Sequence, residues 1–164
     1  MFKRNPRKGT GKPPASARPE TIVGQLWRAA MLRHSAERIR LNEECKRTGS
    51  VAYIEYANAA FEIVIRRWFR AGVDLREISS LVQCFREAFG PTMPVLEAES
   101  LIRHALGEDV DISDIGLPDR IATYGFTLMG IADLINRDAA KVDEVLVEAE
   151  AEVRRRGLNP VMAE

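Results

Sequence analysis

Cysteine and histidine are scarce in this sequence, with two of each among 164 residues. Cys45 and Cys84 stand alone inside predicted helices, without a second Cys or a His at metal-ligand spacing. This pattern argues against a disulfide framework or a zinc site and predicts two buried, reduced thiols. Neither His34 nor His104 has a Glu or His three residues before it, which argues against a helical metal pair. We therefore expect no metal and no cofactor.

Long apolar runs are also missing, since no stretch reaches the 18 residues that a membrane-spanning helix needs. The first residues, MFKRNPRKGTGKPP, lack the apolar centre of a secretory signal. We expect a cytoplasmic protein that does not enter a membrane.

Strand-like alternation does not occur, and from residue 20 onward the apolar residues recur at helical spacing. The pattern predicts an all-α, single-domain bundle of about six helices in antiparallel pairs, over residues 20–160. The predicted helices are 20–47 with Gly49 as its stop, 50–70 capped by Ser50, 74–89 capped by Asp74, 94–106, one that begins at Pro118, and 138–156 capped by Asp138. The second has the widest apolar face, which includes Trp68, and is expected at the centre of the bundle.

Two glycines interrupt the fifth predicted helix, at Gly125 and Gly130. Glycine is costly in a helix interior. Each therefore predicts close packing against a neighbouring helix.

Net charge is zero, with 24 basic and 24 acidic residues, but the two signs are separated along the chain. Residues 1–73 carry +9 and residues 74–164 carry −9. Residues 1–19 contain no acid and form a predicted flexible, disordered basic tail. Such a tail can act as a nucleic-acid arm or be a solvated extension, and the lack of aromatic residues between the charges favours the extension. The candidate nucleic-acid contacts are Lys3, Arg4, Arg7, Lys8 and Lys12.

The segment GEDVDISDIGLPDR, residues 107–120, is the most acidic part of the chain. As a calcium loop it fails, because Asp114 occupies the position of the turn glycine and Arg120 that of the bidentate glutamate. As a pair of catalytic acids it lacks convergent polar partners, and a loop flanked by Gly and Pro predicts solvated carboxylates. No phosphate-binding loop or nucleophile elbow occurs elsewhere. We expect no catalytic residues and no enzyme activity.

Acidic residues in the second half of the chain are the main positive signal for function. The predicted outer face of the last helix carries Asp143, Glu144, Glu148, Glu150 and Glu152. Such a surface steers association with a cationic partner, although it can also serve solubility alone. The predicted partner-binding residues are Glu108, Asp109, Asp111, Asp114, Asp119, Glu144 and Glu148.

Two stretches resemble a known family. They are YIEYANAAFEIVIRRWFRAGVDLREISSLVQCFREAF, residues 53–89, and DRIATYGFTLMGIADLINRDAAKVDEVL, residues 119–146. In both, an aromatic-bearing helix is followed by a short turn and an amphipathic helix. This arrangement is similar to that of the helical immunity proteins that neutralise PoNe-type DNase toxins. The resemblance implies an all-α inhibitor that binds a toxin domain and occludes its active site.

Two hypotheses for function follow from these observations. In the first, the protein is a non-enzymatic, immunity-type inhibitor that binds a basic, nuclease-like toxin through its acidic half. In the second, it is a nucleic-acid-associated accessory protein of a phage or mobile element that acts through the basic tail. The sequence leaves a homodimer open.

Overall fold

A computed structural model describes residues 17–48 and 51–163. Within these ranges the chain forms seven α-helices and no strand. The all-α prediction is therefore confirmed. Residues 1–16 of the predicted tail, Gly49 and Ser50 lie outside the described residues. The helices are α1 (Ile22–Met31), α2 (Ser35–Thr48), α3 (Val51–Trp68), α4 (Leu75–Phe89), α5 (Val95–Ala105), α6 (Leu117–Leu134) and α7 (Ala139–Arg155).

The predicted first helix is two helices, α1 and α2, separated by a turn at residues 32–34. Arg33 has a positive φ of 63°. Its N–H donates to Ala30 O, and the N–H of His34 donates to Ala29 O. This is the hydrogen-bond pattern of a Schellman motif, in which a right-handed helix ends at a residue in the left-handed conformation. An arginine is costly in this conformation, but its guanidinium pairs with Asp133 of α6 at 2.7 Å. This turn lets the polar α2 fold back onto α1.

Helix α3 lies at the centre of the bundle, as predicted, and packs against α1, α5, α6 and α7. Its large side chains Tyr56, Phe61 and Ile65 are almost completely buried. The hydroxyl of Tyr56 donates to Leu146 O of α7 at 2.6 Å, which satisfies the one polar atom of that ring. Trp68, predicted to face the core, is instead 40% exposed, because it lies in the last turn of the helix.

Helices α4 and α7 begin where their capping residues predict. The carboxylate of Asp74 accepts from Arg76 N, and that of Asp138 accepts from Ala140 N and Lys141 N. Helix α6 packs against α4 closely at Gly130, where a Cβ would come within 2.3 Å of the Phe85 ring. The close packing predicted at Gly130 is therefore confirmed.

The thiols differ from the prediction in one respect. Cys45 of α2 is free and buried, as predicted, and burial raises the pKa of its thiol. Cys84 of α4 is free and exposed. The prediction that both thiols are buried was wrong for Cys84, because only the Ile78, Leu81, Val82 and Phe85 side of α4 faces the core.

The segment before α1 and the segment after α7 are hydrogen-bonded to each other. Ile22 N donates to Val161 O and Ala163 N donates to Glu20 O, each at 2.9 Å, around an antiparallel bridge between Thr21 and Met162. None of the seven helices of the described chain is long and apolar enough to cross a membrane.

Candidate functional site

The acidic segment, residues 107–120, comprises the turn after α5 and the first turn of α6. Asp109, Asp111, Asp114 and Asp119 are exposed. Among the described residues, no cationic side chain lies within 4 Å of these four carboxylates. Glu108 differs, because Arg103 donates to its Oε2 at 2.7 Å. Four of the five predicted carboxylates of this segment are thus available to an external cation.

The backbone of the acidic segment is fixed by a single arginine. Arg120 of α6 donates from Nε to Ile115 O at 2.9 Å and from Nη2 to Ile112 O at 2.6 Å. The side chains of Ile112 and Ile115 are partly buried against the core. These contacts hold the segment in one shape, so that its carboxylates are presented by an ordered backbone.

Asp111 also shapes the segment. Its Oδ1 accepts from Ser113 N at 2.9 Å, which closes a local turn. Hydrogen bonding from the Ser113 backbone and side chain lowers the pKa of Asp111. Asp111 caps no helix, since the N-cap of α6 is Gly116, and its side chain is still exposed.

The predicted carboxylates of α7, Glu144 and Glu148, are exposed but do not stand alone. Both form ion pairs with Arg67 of α3, Glu144 at 3.7 Å and Glu148 more closely. No hydrogen bond or ion pair in the described part of the chain joins them to residues 107–120. The predicted partner-binding residues therefore form two sets, and the set on α7 is partly neutralised by the protein itself.

Two other acids of α7 lie on its buried face, so the prediction of an outer position for Asp143 and Glu150 was wrong. Each is only 3% exposed. Asp143 accepts from Arg28 of α1, and Glu150 accepts from Glu20 N, Thr21 N and Thr21 Oγ1 at the start of α1. Thr21 caps α1 by accepting from Gly24 N, so Glu150 also orients the cap. These two acids attach α1 to α7.

A small polar cavity of about 80 Å³ between α3, α5 and α6 was not predicted. Glu62, His104 and Tyr124 line it. Glu62 is engaged by Arg66 at 3.5 Å and by Arg156 at 3.1 Å. Burial raises the pKa of the Tyr124 phenol. The one sequence signal for this cavity is the Asn58 and Glu62 pair at i and i+4, whose side chains hydrogen-bond.

The remaining predicted contacts cannot be placed. Lys3, Arg4, Arg7, Lys8 and Lys12 lie outside the described residues. Within the described ranges no group of three His, Cys, Asp or Glu side chains is arranged to hold a metal ion.

The chain was compared with known protein families, curated proteins and solved structures. No protein-family model, no curated protein and no solved structure matches the chain.

Proposed function

We propose that this chain is a non-catalytic, cytoplasmic protein-binding module that docks a cationic partner through residues 107–120. The most concrete form of the proposal is an immunity-type inhibitor that blocks a basic, nuclease-like toxin. A nuclease cleft is cationic because it binds phosphates, and a fixed set of carboxylates matches such a surface.

The observation that carries the proposal is the pair of hydrogen bonds from Arg120 to the carbonyls of Ile112 and Ile115. An acidic loop that serves only solubility needs no fixed backbone. A loop that recognises one partner gains from being ordered in advance, because less conformational freedom is lost on binding. Asp109, Asp114 and Asp119 have no cation within 4 Å among the described residues, so binding would not break an internal ion pair of theirs.

Charge complementarity gives a specific expectation for kinetics. Exposed carboxylates raise the association rate with a cationic partner more than they slow its dissociation. Removing three of them is expected to lower the association rate by about tenfold at low salt, and the difference is expected to shrink as salt screens the charges.

The proposal is tested with two variants of equal net charge. One carries Asp109→Asn, Asp111→Asn and Asp114→Asn; the control carries Glu77→Gln, Glu87→Gln and Glu97→Gln on α4 and α5. Each variant and the wild type are used as bait for affinity capture from the source cell, and a captured protein is then co-expressed to measure protection from its toxicity. We expect capture and protection by the wild type and the control, and weaker capture and weaker protection with the first variant.

Equal capture by the two variants would refute the docking role of residues 107–120. The nucleic-acid hypothesis is tested in the same samples. If the bait retains DNA or RNA, and deletion of residues 1–16 abolishes that retention, then the basic tail carries the function instead.

A further inference from the structure

A second candidate site lies away from the acidic segment, in a cleft between α1, α2, α3 and α6. Its volume is about 380 Å³. Small-molecule sites span about 300–1,000 Å³ and are mostly apolar with a few polar groups. None of the carboxylates assigned to partner binding lines the cleft. The cleft is therefore independent of the proposed function.

Two stacked aromatic rings form one wall of the cleft. The ring centroids of Trp27 and Tyr53 are 5.2 Å apart, with an angle of 23° between the ring planes. Ile39 of α2 also lines the cleft and is 63% exposed, which is unusual for a large apolar side chain on an otherwise polar helix. These walls suit a flat apolar body, because aromatic faces stack in offset arrangements.

Helix α6 leaves room in the cleft because it has a glycine, Gly125, where it lines the cleft. The sequence predicts close packing at Gly125, but a Cβ there would lie 3.8 Å from Cη2 of Trp27, which is an ordinary van der Waals distance. Packing of the bundle therefore does not require a glycine at this position, and glycine costs helix stability relative to alanine. The close-packing prediction was wrong for Gly125, whose missing side chain instead leaves room in the cleft.

Polar side chains line the cleft from one helix. Arg38 and Asn42 are one turn apart on α2, and both line the cleft. Among the described residues neither side chain forms a hydrogen bond, and no carboxylate lies within 4 Å of Arg38. The neighbouring cations Arg40 and Lys46 are both paired, with Glu44 and Glu43. A guanidinium beside an amide offers donors for one carboxylate.

The tryptophan of the aromatic wall carries a further unmet hydrogen bond. Nε1 of Trp27 is buried and has no acceptor in the described part of the chain. Buried donors without an acceptor are uncommon in folded proteins, and each such group calls for an explanation. This nitrogen is closed off from solvent, so a ligand in the cleft would contact the ring and not Nε1.

We propose that this cleft binds a small aromatic carboxylate, with its ring against Trp27 and Tyr53 and its carboxylate on Arg38. The size of the cleft, the stacked rings and the unpaired guanidinium select this class. A neutral aromatic molecule would leave Arg38 without an anion, and an aliphatic chain would not stack on the partly exposed ring of Tyr53.

The probe is 2-naphthoate, with 2-naphthamide as its neutral counterpart. Binding is measured by isothermal titration calorimetry and by tryptophan emission in a Trp68→Phe background, in which Trp27 is the only tryptophan. We expect one saturable site for naphthoate with a Kd at or below about 1 mM and a change in Trp27 emission. Absence of saturable binding overturns the proposal.

Two substitutions locate the bound probe. Gly125→Leu fills the cleft and is expected to abolish binding without lowering the thermal midpoint, and Gly125→Ala, which adds a single methyl, is expected to weaken it. Arg38→Gln is expected to weaken naphthoate by about tenfold or more and to leave naphthamide unchanged. Arg40→Gln, two residues further along α2 and paired with Glu44, is the control and is expected to change neither.

Three results would overturn the proposal. Undiminished binding by a folded Gly125→Leu protein would place the probe elsewhere. Equal affinities for naphthoate and naphthamide, unaffected by Arg38→Gln, would refute the carboxylate. Concentration-dependent self-association in sedimentation, abolished by Gly125→Leu, would show that a second copy of the chain occupies the cleft.

Discussion

Arg28 of α1 and Asp143 of α7 are joined at two points. Nε of Arg28 donates to Oδ1 of Asp143 at 2.6 Å, and Nη2 donates to Oδ2 at 3.3 Å. The side chain of Asp143 is 4% exposed and that of Arg28 is 16% exposed. A bidentate pair of this kind fixes the angle between two side chains as well as their distance. It therefore sets how α1 lies on α7.

Removing Asp143 is predicted to destabilise the protein. Asp143→Ala leaves the Arg28 guanidinium largely buried without its partner, at an expected cost of about 2–3 kcal/mol in the free energy of unfolding. Urea unfolding measures the change. Glu144→Ala, at the next residue of the same helix but exposed, is the control and is expected to change stability by less than about 0.5 kcal/mol. Similar effects from the two substitutions would contradict the role assigned to the pair.

The two glycines of α6 are predicted to respond in opposite directions to alanine. Gly130→Ala places a methyl within 2.3 Å of the Phe85 ring and should destabilise the protein by about 1–3 kcal/mol. Gly125→Ala meets Trp27 at an ordinary distance and should stabilise it by up to about 1 kcal/mol through helix propensity. Thermal unfolding of both variants gives the comparison. Destabilisation by both would show that Gly125 is also closely packed.

Asp133 is predicted to make a pH-dependent contribution to stability. Partial burial acts to raise its pKa, but hydrogen bonds from Arg33 and Arg137 outweigh burial and leave the pKa lowered. The contribution is therefore present above the unfolded-state pKa of about 3.9 and is lost as the pH falls through the lowered folded-state pKa. Since the carboxylate is about one-third exposed, solvent screening limits this contribution to about 0.5–1 kcal/mol.

Asp133→Asn tests this dependence. The variant should be less stable than the wild type at pH 7 by that amount, and the difference should shrink as the pH falls below about 3.9. Asp109→Asn, which removes an exposed carboxylate without a cation within 4 Å among the described residues, is the matched control. A difference for Asp133→Asn that stays constant with pH, or grows in acid, would count against the ion-pair explanation.

Arg120 is predicted to control the order of the acidic segment. Arg120→Ala removes the donors to Ile112 O and Ile115 O, and the backbone amides of Ser113 and Ile115 should then exchange with deuterium about tenfold faster. Arg103→Ala, which removes only the exposed ion pair with Glu108, should leave those amides unchanged. Unchanged exchange in the Arg120 variant would mean that the Asp111 turn and the partly buried Ile112 and Ile115 hold the segment without Arg120.

Local patterns in the sequence were enough to predict most of the helices. Asp74 and Asp138 begin helices because a carboxylate can accept from the free amides of a first turn, which depends on nearby residues alone. The division between α1 and α2 was missed because the residue at the turn is Arg33 and not glycine. Its positive φ is supported by the ion pair with Asp133, which is distant in the chain.

The candidate sites depended more on tertiary structure. A charged residue on an amphipathic helix is usually solvated, so the sequence placed Asp143 and Glu150 outside, although α1 supplies hydrogen-bond donors to both. The cleft depends on how four helices meet, and Gly125 was its only local signal. In the sequence, a helical glycine that leaves space cannot be told from one that allows close packing. The exposed carboxylates of residues 107–120 were predictable because loops flanked by Gly and Pro stay in solvent.

The antiparallel bridge between Thr21 and Met162 has a consequence for chain connectivity. The segments before α1 and after α7 are hydrogen-bonded to each other, so a short linker can join residue 163 to residue 17 without moving a helix. The exposed turn at residues 70–74 between α3 and α4 could then be opened to give new termini. Such a circular permutant would keep every helix contact described above but would have its helices in a different order along the chain. Its stability would therefore show whether the bundle depends on the order in which its helices are synthesised.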